Sequence, residues 1–231
     1  MTVVDGDTAA TTVDGELAAA NGVVVGVGNP TRGDDGVGRA VVRATEGVPA
    51  TFASTTAFFA LEAADGRDHA VVVDAVDGDG LPGTIHRYRL DAGDDAVPRV
   101  ALHDVTFADA LAAGDDVYDL PDRLVLLGVV PESLETRIGL SDPVRRAVPA
   151  VATLARAELV ETTPHDGGDT TVDTTWYCQD CEERIDAGAV SNHEERGHSV
   201  RGRARPDRLL SDDPWALGGG EESEGGDGGD D

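Results

Sequence analysis

The sequence predicts an α/β fold in which a mostly parallel central sheet is covered by helices on both faces. Three short runs, at residues 23–27, 69–76 and 123–130, are apolar almost throughout, and segments with helical periodicity separate them. Strands that are buried on both faces have continuous apolar runs and are typical of parallel sheets. With 231 residues and 40% hydrophobic content, the chain is long enough for one ordinary core and a smaller second unit.

The other elements of this sheet domain follow in chain order. Residues 36–46 have the spacing of an amphipathic helix, and residues 84–90 alternate as an edge or half-buried strand does. Residues 105–113 predict another helix, and residues 142–159 a long one. Pro143 fits the first turn of the long helix, whereas Pro149 predicts a kink.

The charge of the chain is strongly negative, with 45 acidic and 18 basic residues and a formal net charge of −27 at pH 7. All the basic residues are arginine. This balance opposes nucleic acid as the main partner, because phosphate backbones attract basic surfaces. Concentrated salt screens charge repulsion, so we favour a halophilic source over a dedicated acidic binding surface.

Composition divides the chain into five parts. We expect a flexible acidic leader at residues 1–20, the α/β domain at 21–162, a polar linker at 163–174, a compact unit at 175–200 and a disordered acidic tail at 201–231. The first residues have neither the basic start nor the apolar centre of a signal peptide, and no apolar run is long enough to span a membrane. We therefore expect a cytoplasmic protein.

A glycine-rich turn with two carboxylates, GNPTRGDDGVG, follows the first predicted strand. It does not fit dinucleotide binding, because the third glycine of the GxGxxG pattern falls at Thr31 and Asp34 and Asp35 occupy the place of a pyrophosphate. Carboxylates are stabilised at a helix N-terminus, so both residues can simply cap the next helix. The turn therefore offers a candidate ligand, Asp34 or Asp35, that the local sequence does not distinguish from a helix cap.

Two further residues are candidates for the same site. Asp74 interrupts the buried run AVVVDAV, where an uncompensated charge is costly and a metal ion compensates it. His103 precedes a predicted helix. Two carboxylates and one imidazole suit a divalent ion such as nickel or zinc, although spacing alone does not join residues so far apart.

The motifs around these residues resemble those of the hydrogenase maturation endopeptidases, which process the large subunit of nickel-iron hydrogenases. The resemblance covers most of the α/β domain in the family's order. The matching stretches are GVGNPTRGDDGVG (26–38), RDHAVVVDAVDGDGLPGTI (67–85), HDVTFADAL (103–111) and LVLLGVVPESLETRIGLSDPV (124–144).

The resemblance implies a fold of the phosphorylase/hydrolase type and a metal-engaging site made of Asp35, Asp74 and His103. It leaves Asp34 to the turn and the helix start. It implies hydrolytic removal of a C-terminal extension from a large-subunit precursor that already carries nickel, so the nickel is borne by the substrate or bound at this site. Whether the carboxylates serve as ligands, as bases or as both stays open, and with it the choice between aspartic-type and metal-assisted peptidase. The chain departs from the family's pattern at residues 53–55, AST in place of GGT, and at Thr106, where glycine is frequent.

The compact unit after the linker has the spacing of a zinc finger. Its ligand pattern is C-x2-C-x11-H-x4-H, formed by Cys178, Cys181, His193 and His198. Thiolates and imidazoles at such spacings bind zinc tetrahedrally, and so small a unit needs a metal in place of a large core. The alternatives are reduced structural cysteines with solvated histidines, and a redox CxxC motif.

The role of this zinc unit is less determined than its ligands. Arginines at residues 201–208 allow nucleic-acid binding, but the surrounding acidic residues oppose it, so we favour a structural or protein-contact role. The leading hypothesis for the chain is the maturation endopeptidase. The alternative is a non-proteolytic nickel-site binding or adaptor protein of the same fold that docks a partner through its zinc unit.

Overall fold

The computed structural model describes residues 21–90, 107–114, 116–159 and 174–205. The elements of these ranges are, in chain order, β1 (Gly22–Gly26), α1 (Val37–Ala44), β2 (Ala50–Phe52), α2 (Ala57–Ala64), β3 (His69–Ala75), β4 (Ile85–Arg89), α3 (Phe107–Gly114), β5 (Arg123–Val129), α4 (Asp142–Leu159), β6 (Thr174–Cys178), β7 (Glu183–Ile185), α5 (Val190–Glu195) and β8 (Val200–Ala204). Short 3₁₀ helices occupy Gly33–Gly36 and Ala187–Ala189.

The strands form one mixed sheet in the order β2-β1-β3-β5-β4-β8-β6-β7. The first four are parallel, and β4, β8, β6 and β7 are joined by antiparallel pairings. The parallel half is the sheet that the apolar runs predict. The antiparallel half begins at β4 and continues into the cysteine and histidine unit, so both parts of the chain share one sheet.

Helices cover both faces of the parallel half, which confirms the predicted α/β architecture. Side chains of α1 and α4 pack with one set of strand residues, including Val71, Val73 and Leu127. Side chains of α2 and α3 pack with the alternate set, including Val72 and Leu126. Each buried strand therefore contributes to two cores, which explains why its sequence is apolar without alternation.

Most predicted elements lie where the sequence places them. The strands at 23–27, 69–76 and 123–130 correspond to β1, β3 and β5, each within one residue at either end. The helix expected at 36–46 is α1, preceded by a 3₁₀ turn. The helix expected at 105–113 is α3, described from Phe107. The long helix α4 continues through Pro149 as one element.

The prediction of an edge or half-buried strand at residues 84–90 is wrong. The strand, β4, is paired on one side with β5 and on the other with β8, and four of its five residues are buried. Its second partner comes from beyond the linker, more than 110 residues later in the chain. The alternating pattern arises because the two faces of β4 pack against different partners, not because one of them faces solvent.

The later boundaries differ slightly from the sequence-based ones. β6 begins at Thr174, the last residue of the expected linker, and β8 extends to Ala204, past the expected start of the tail. The short β2 and α2 are additional elements, with Thr56 capping α2 by accepting a hydrogen bond from the amide of Phe59. The expected leader, most of the linker and the remainder of the tail lie outside the described residues.

Candidate active site

The GDDG turn lies directly beyond the carboxyl end of β1. Gly28 has a φ of +115°, and a Cβ added there would collide with the carbonyl oxygen of Asp35. Only glycine allows so close an approach of two backbone segments at a positive φ. The chain therefore leaves β1, turns sharply and holds the 3₁₀ helix Gly33–Gly36, with both of its aspartates buried, against the end of the sheet.

Asp34 holds the turn against the segment that follows β5. Its carboxylate accepts hydrogen bonds from the amides of Glu132 (2.8 Å), Ser133 (3.2 Å) and Ser141 (2.6 Å) and from the Ser141 hydroxyl (2.8 Å). Four donors satisfy a buried carboxylate without a metal. Asp34 thus serves the turn, as expected, although its contacts reach across to residues 132–141 rather than to the start of α1.

Asp35 and Asp74 lie at the carboxyl edge of the sheet, near enough for the charge of Asp35 to act on Asp74. Both are buried, with 5% and 2% of their surfaces exposed. Asp74 is the penultimate residue of β3, and its Oδ1 accepts a hydrogen bond from the amide of Ala75 at 2.8 Å. Burial raises the pKa of Asp74 well above its ordinary value, and the charge of Asp35 raises it further. Two neighbouring buried carboxylates favour uptake of a proton or a cation.

The third predicted residue, His103, lies outside the described residues. The described chain resumes at Phe107, the first residue of α3, whose ring is fully buried in the core beneath α2 and α3. The structure thus brings together two of the three predicted active-site residues, and the position of His103 remains a prediction.

His86 is a residue near this site that the sequence did not single out. On β4 it is paired with Gly128, which is paired in turn with Asp74 on β3, so Asp74 and His86 share one row and one face of the sheet. Its Nε2–H donates to the carbonyl oxygen of Asp79 at 2.7 Å. Burial lowers the pKa of His86, which favours the neutral ring. The alternating sequence of β4 predicts which face of the sheet carries the His86 ring, but no sequence pattern predicts its hydrogen bond to Asp79.

The segment at 53–55 also borders the site. The carbonyl oxygen of Ser54 accepts a hydrogen bond from the Gly28 amide at 2.8 Å, which holds this loop against the turn that carries Asp35. Ser54 has a φ of +65°, a conformation that costs a residue with a Cβ about 1–2 kcal/mol. Glycine at the same place in the family's pattern avoids this cost, so the departure in sequence is accompanied by local backbone strain.

The four predicted zinc ligands meet in one cluster, with their ligand atoms all within 4.8 Å of one another. The Nδ1 atom of His198 is 3.5 Å from Cys178 Sγ, 3.3 Å from Cys181 Sγ and 3.4 Å from His193 Nδ1, and Cys181 Sγ is 3.7 Å from His193 Nδ1. A tetrahedral ion with bonds of about 2.0–2.3 Å needs ligand atoms roughly 3.5 Å apart. The spacing therefore fits a four-coordinate metal ion.

Local structure explains how these ligands converge. Cys178 ends β6, Cys181 lies in the turn before β7, His193 is on α5, and His198 follows a turn at Gly197, where φ is +78°. A strand and a second strand flank the CxxC motif, rather than the strand and helix of a redox motif. The geometry therefore favours the metal site over the redox alternative.

The cluster is remote from the two aspartates. Four strand spacings of roughly 4.8 Å separate β6 from β3, so Cys178 is about 20 Å from Asp74 across the sheet. Cys178 is paired with Val200, whereas the row of Asp74 reaches Arg203, three residues away and on the other face. The cluster cannot complete the aspartate site.

Comparison with known proteins identifies the family of the α/β domain. The family model described as hydrogenase maturation protease matches residues 53–158, a span that includes Asp74 and His103. The Hydrogenase 2 maturation protease of Escherichia coli is 32% identical over 161 residues, 62% of this chain and 96% of that protein. The hydrogenase expression/formation protein HoxM of Azotobacter vinelandii is 32% identical over 159 residues, covering 63% of this chain and 75% of its own.

A solved structure supports the same likeness. The hydrogenase maturating endopeptidase HybD of Escherichia coli superposes with a TM-score of 0.52 at 30% identity, over 61% of this chain and 93% of that one. These likenesses cover the α/β domain and confirm the resemblance in its motifs. Among the described residues, no helix is long and apolar enough to cross a membrane. The chain belongs to the hydrogenase maturation protease family and is a hydrolase of the endopeptidase type.

Proposed function

We propose that the chain removes a C-terminal extension from a nickel-loaded hydrogenase large-subunit precursor and that Asp35, Asp74 and His103 form the site. The carrying observation is the pair of adjacent buried carboxylates at the carboxyl edge of the sheet. Loops at this edge carry the functional residues of open α/β sheets. The relatives' names support the reaction, and they disfavour the non-proteolytic adaptor alternative.

The electrostatics of the pair supply a reason for selecting a nickel-loaded precursor. Burial and the charge of Asp35 raise the pKa of Asp74, so a nearby cation favours the ionised form of this carboxyl group. A divalent ion carried by the substrate offsets the charge of both carboxylates and is a suitable ion for His103 as well. The empty precursor lacks this ion, so the pair discriminates between loaded and empty precursors.

The same residues can handle the proton of the hydrolytic step. A carboxylate with a raised pKa accepts a proton from an attacking water more readily than an ordinary aspartate does. Nickel, when it is engaged, also acts as a Lewis acid toward a carbonyl or a water. Asp74 is our candidate for the base because burial and the charge of Asp35 both raise its pKa, while Asp35 and His103 serve as ligands.

The experiment is incubation of the native chain with nickel-loaded and nickel-free forms of the precursor, with trimming followed by mass spectrometry. We expect trimming of the loaded form only, and its loss in Asp35→Asn and in His103→Ala. Asp142→Asn is a matched control, because Asp142 is exposed on α4, and should trim normally. An untouched cognate precursor, or normal trimming by both site variants, contradicts the proposal.

We also propose that the Cys178, Cys181, His193 and His198 cluster holds zinc. Two thiolates and two imidazoles in tetrahedral spacing are the ligand set that zinc prefers. Purified protein should contain about one equivalent of zinc, and the double variant Cys178→Ser with Cys181→Ser should lose it while Glu195→Gln keeps it. Retention of zinc by the double variant contradicts this assignment.

The remaining assignments concern the surroundings of the protein. We propose a cytoplasmic location, where thiolates of a metal cluster stay reduced, and a high-salt cytoplasm, which explains a net charge of −27. The unfolding midpoint should then rise between about 0.1 M and 1 M potassium chloride, a range over which the Debye length falls from about 10 Å to 3 Å. A midpoint that is independent of salt contradicts the halophilic assignment.

A further inference from the structure

One arginine joins the peptidase sheet to the metal unit. Arg87, on β4, is 4% exposed. Its Nε and Nη2 donate to the two carboxylate oxygens of Glu158 on α4, at 2.7 Å and 3.1 Å, and its Nη1 donates to Oε1 of Glu194 on α5 at 2.7 Å. Glu158 belongs to the maturation protease domain and Glu194 to the metal unit. The guanidinium of Arg87 thus bonds to both parts of the chain at once.

The second of these carboxylates is next in sequence to a predicted metal ligand. Glu194 directly follows His193, and its side chain is only 6% exposed. Trp176, on β6 of the same unit, places its ring 5.3 Å from the Arg87 guanidinium, a distance at which a cation–π attraction contributes. We call Arg87, Glu158, Glu194 and Trp176 the latch.

Charge balance makes the latch sensitive to the position of Glu194. Arg123 also donates to Glu158, at 2.8 Å, and Nη1 of Arg89 lies 3.8 Å from Oε2 of Glu194, so three arginines and two glutamates form one largely buried network. When Glu194 moves away, Glu158 alone is shared by two guanidinium groups. Removing one partner of a buried ion pair is far more destabilising than the pair is stabilising, because the remaining charge stays buried.

The metal unit has a small apolar core. Its buried apolar cluster consists of Trp176, Val190 and Val200. α5 is six residues long, too short to be stable without tertiary contacts. His193 on α5 and His198 just after it are both cluster ligands, so an ion fixes this helix from two points.

We propose that the metal bound by the cysteine and histidine cluster holds Glu194 against Arg87, and that the metal unit thereby fixes β4 within the peptidase sheet. Metal occupancy is then a condition for the stability of the protease domain itself, not only of the appended unit. β8 pairs with β4 along four residues, so the same ion also supports the strand that covers this edge.

This inference rests on metal binding by the cluster, and its test separates the two. Amide hydrogen exchange of the full chain is measured with bound zinc, after removal of zinc by a chelator, and after zinc is restored. Removal should speed exchange in β4 (Ile85–Arg89) at least about tenfold and reversibly, while β1 and β2, at the far edge, change little. Glu194→Gln should keep its zinc and still exchange faster in β4, whereas Glu195→Gln, at the exposed neighbouring position, should match the native protein.

The outcomes are distinct. If the protein binds zinc but its removal does not change amide exchange in β4, the latch is overturned and the zinc assignment stands. Purified protein that binds no zinc overturns both. Neither result bears on trimming of the precursor by Asp35, Asp74 and His103.

Discussion

Two clusters of buried charged residues lie in the same sheet. They differ in whether positive and negative groups are paired with each other. At the latch, Arg87 contacts both Glu158 and Glu194, Arg123 and Arg89 lie beside them, and each carboxylate is within 2.8 Å of a guanidinium nitrogen. At the carboxyl edge, Asp35 and Asp74 repel each other. In the first cluster each carboxylate meets an opposite charge, whereas in the second the charge of one carboxylate disfavours the ionised form of the other.

This difference distinguishes a cluster with a structural role from one with a functional role. A network in which opposite charges meet orders the elements that contribute to it. An unbalanced pair costs stability in the free protein, and natural proteins retain such costs mainly where a site requires them. Asp34 makes the same point within one turn, because its carboxylate, one residue from Asp35, is satisfied by four donors and is structural.

The largest expected effect comes from neutralising the unbalanced pair. Asp74→Asn should slow trimming of a nickel-loaded precursor by a factor of about 10² to 10⁴, the usual contribution of a positioned acid or base. It should not lower the unfolding midpoint, because it removes a buried repulsion. Trimming assays and thermal melting of one preparation test both halves, and a variant that is inactive only because it is unfolded contradicts the account.

The next largest effect comes from unbalancing the latch. Glu158→Gln leaves two guanidinium groups without their shared carboxylate and should lower the free energy of unfolding by about 3–5 kcal/mol. Denaturant titration measures this loss. Glu62→Gln, at an exposed position of α2, is the matched control and should stay within about 0.5 kcal/mol of the native protein. Equal effects of the two substitutions on the free energy of unfolding would contradict a stabilising role of the latch.

The two clusters should also respond to pH with opposite sign. The raised pKa of Asp74 means that the folded protein keeps this proton to higher pH, so its contribution is fully present below the ordinary value of 3.8 and is lost as pH rises through the raised pKa. Burial raises the pKa of Glu158, but the charges and hydrogen bonds of Arg87 and Arg123 outweigh burial and hold it below 4.5. Its contribution is therefore present above pH 4.5 and is lost as pH falls through the lowered pKa.

Free energies of unfolding measured across this pH range in the native protein and in the two variants, without added nickel, test these signs. The advantage of Asp74→Asn over the native protein should grow as pH rises. The deficit of Glu158→Gln should shrink as pH falls. Slopes of the same sign for both variants contradict the contrast between the clusters.

The smallest expected effect concerns backbone strain beside the active site. Ser54→Gly relieves a φ of +65° and should stabilise the protein by at most about 1 kcal/mol, since the flexibility of glycine in the unfolded chain offsets part of the gain. Ala53→Gly, one residue earlier and at a negative φ, should destabilise it instead. Thermal melting of both variants provides the comparison, and equal shifts would show that the strain at Ser54 is negligible.

The sequence predicts the two sites to different degrees. Asp74 is visible because a charge interrupts an apolar run, and the four zinc ligands because their spacing is characteristic. The functions of Asp34 and Asp35 are harder to separate, since the difference depends on donors from residues 132–141, about a hundred positions away.

The latch is beyond the reach of sequence patterns. The alternating sequence of β4 predicts which face of the sheet carries Arg87. It does not predict the partners of Arg87, Glu158 and Glu194, which are 71 and 107 residues away. The same long separation made β4 resemble an edge strand, because its second neighbour follows the linker. Local periodicity predicts elements, whereas strand partners and buried ion pairs depend on the whole chain.

The most direct test of the central claim compares native protein, Asp74→Asn and Glu194→Gln in one trimming assay on a nickel-loaded precursor, at a temperature well below all three unfolding midpoints. The account predicts that Asp74→Asn is folded but inactive and that Glu194→Gln, though it melts at a lower temperature, trims at the native rate. Normal trimming by Asp74→Asn, or its loss in folded Glu194→Gln, would contradict the division between an active site and a structural latch.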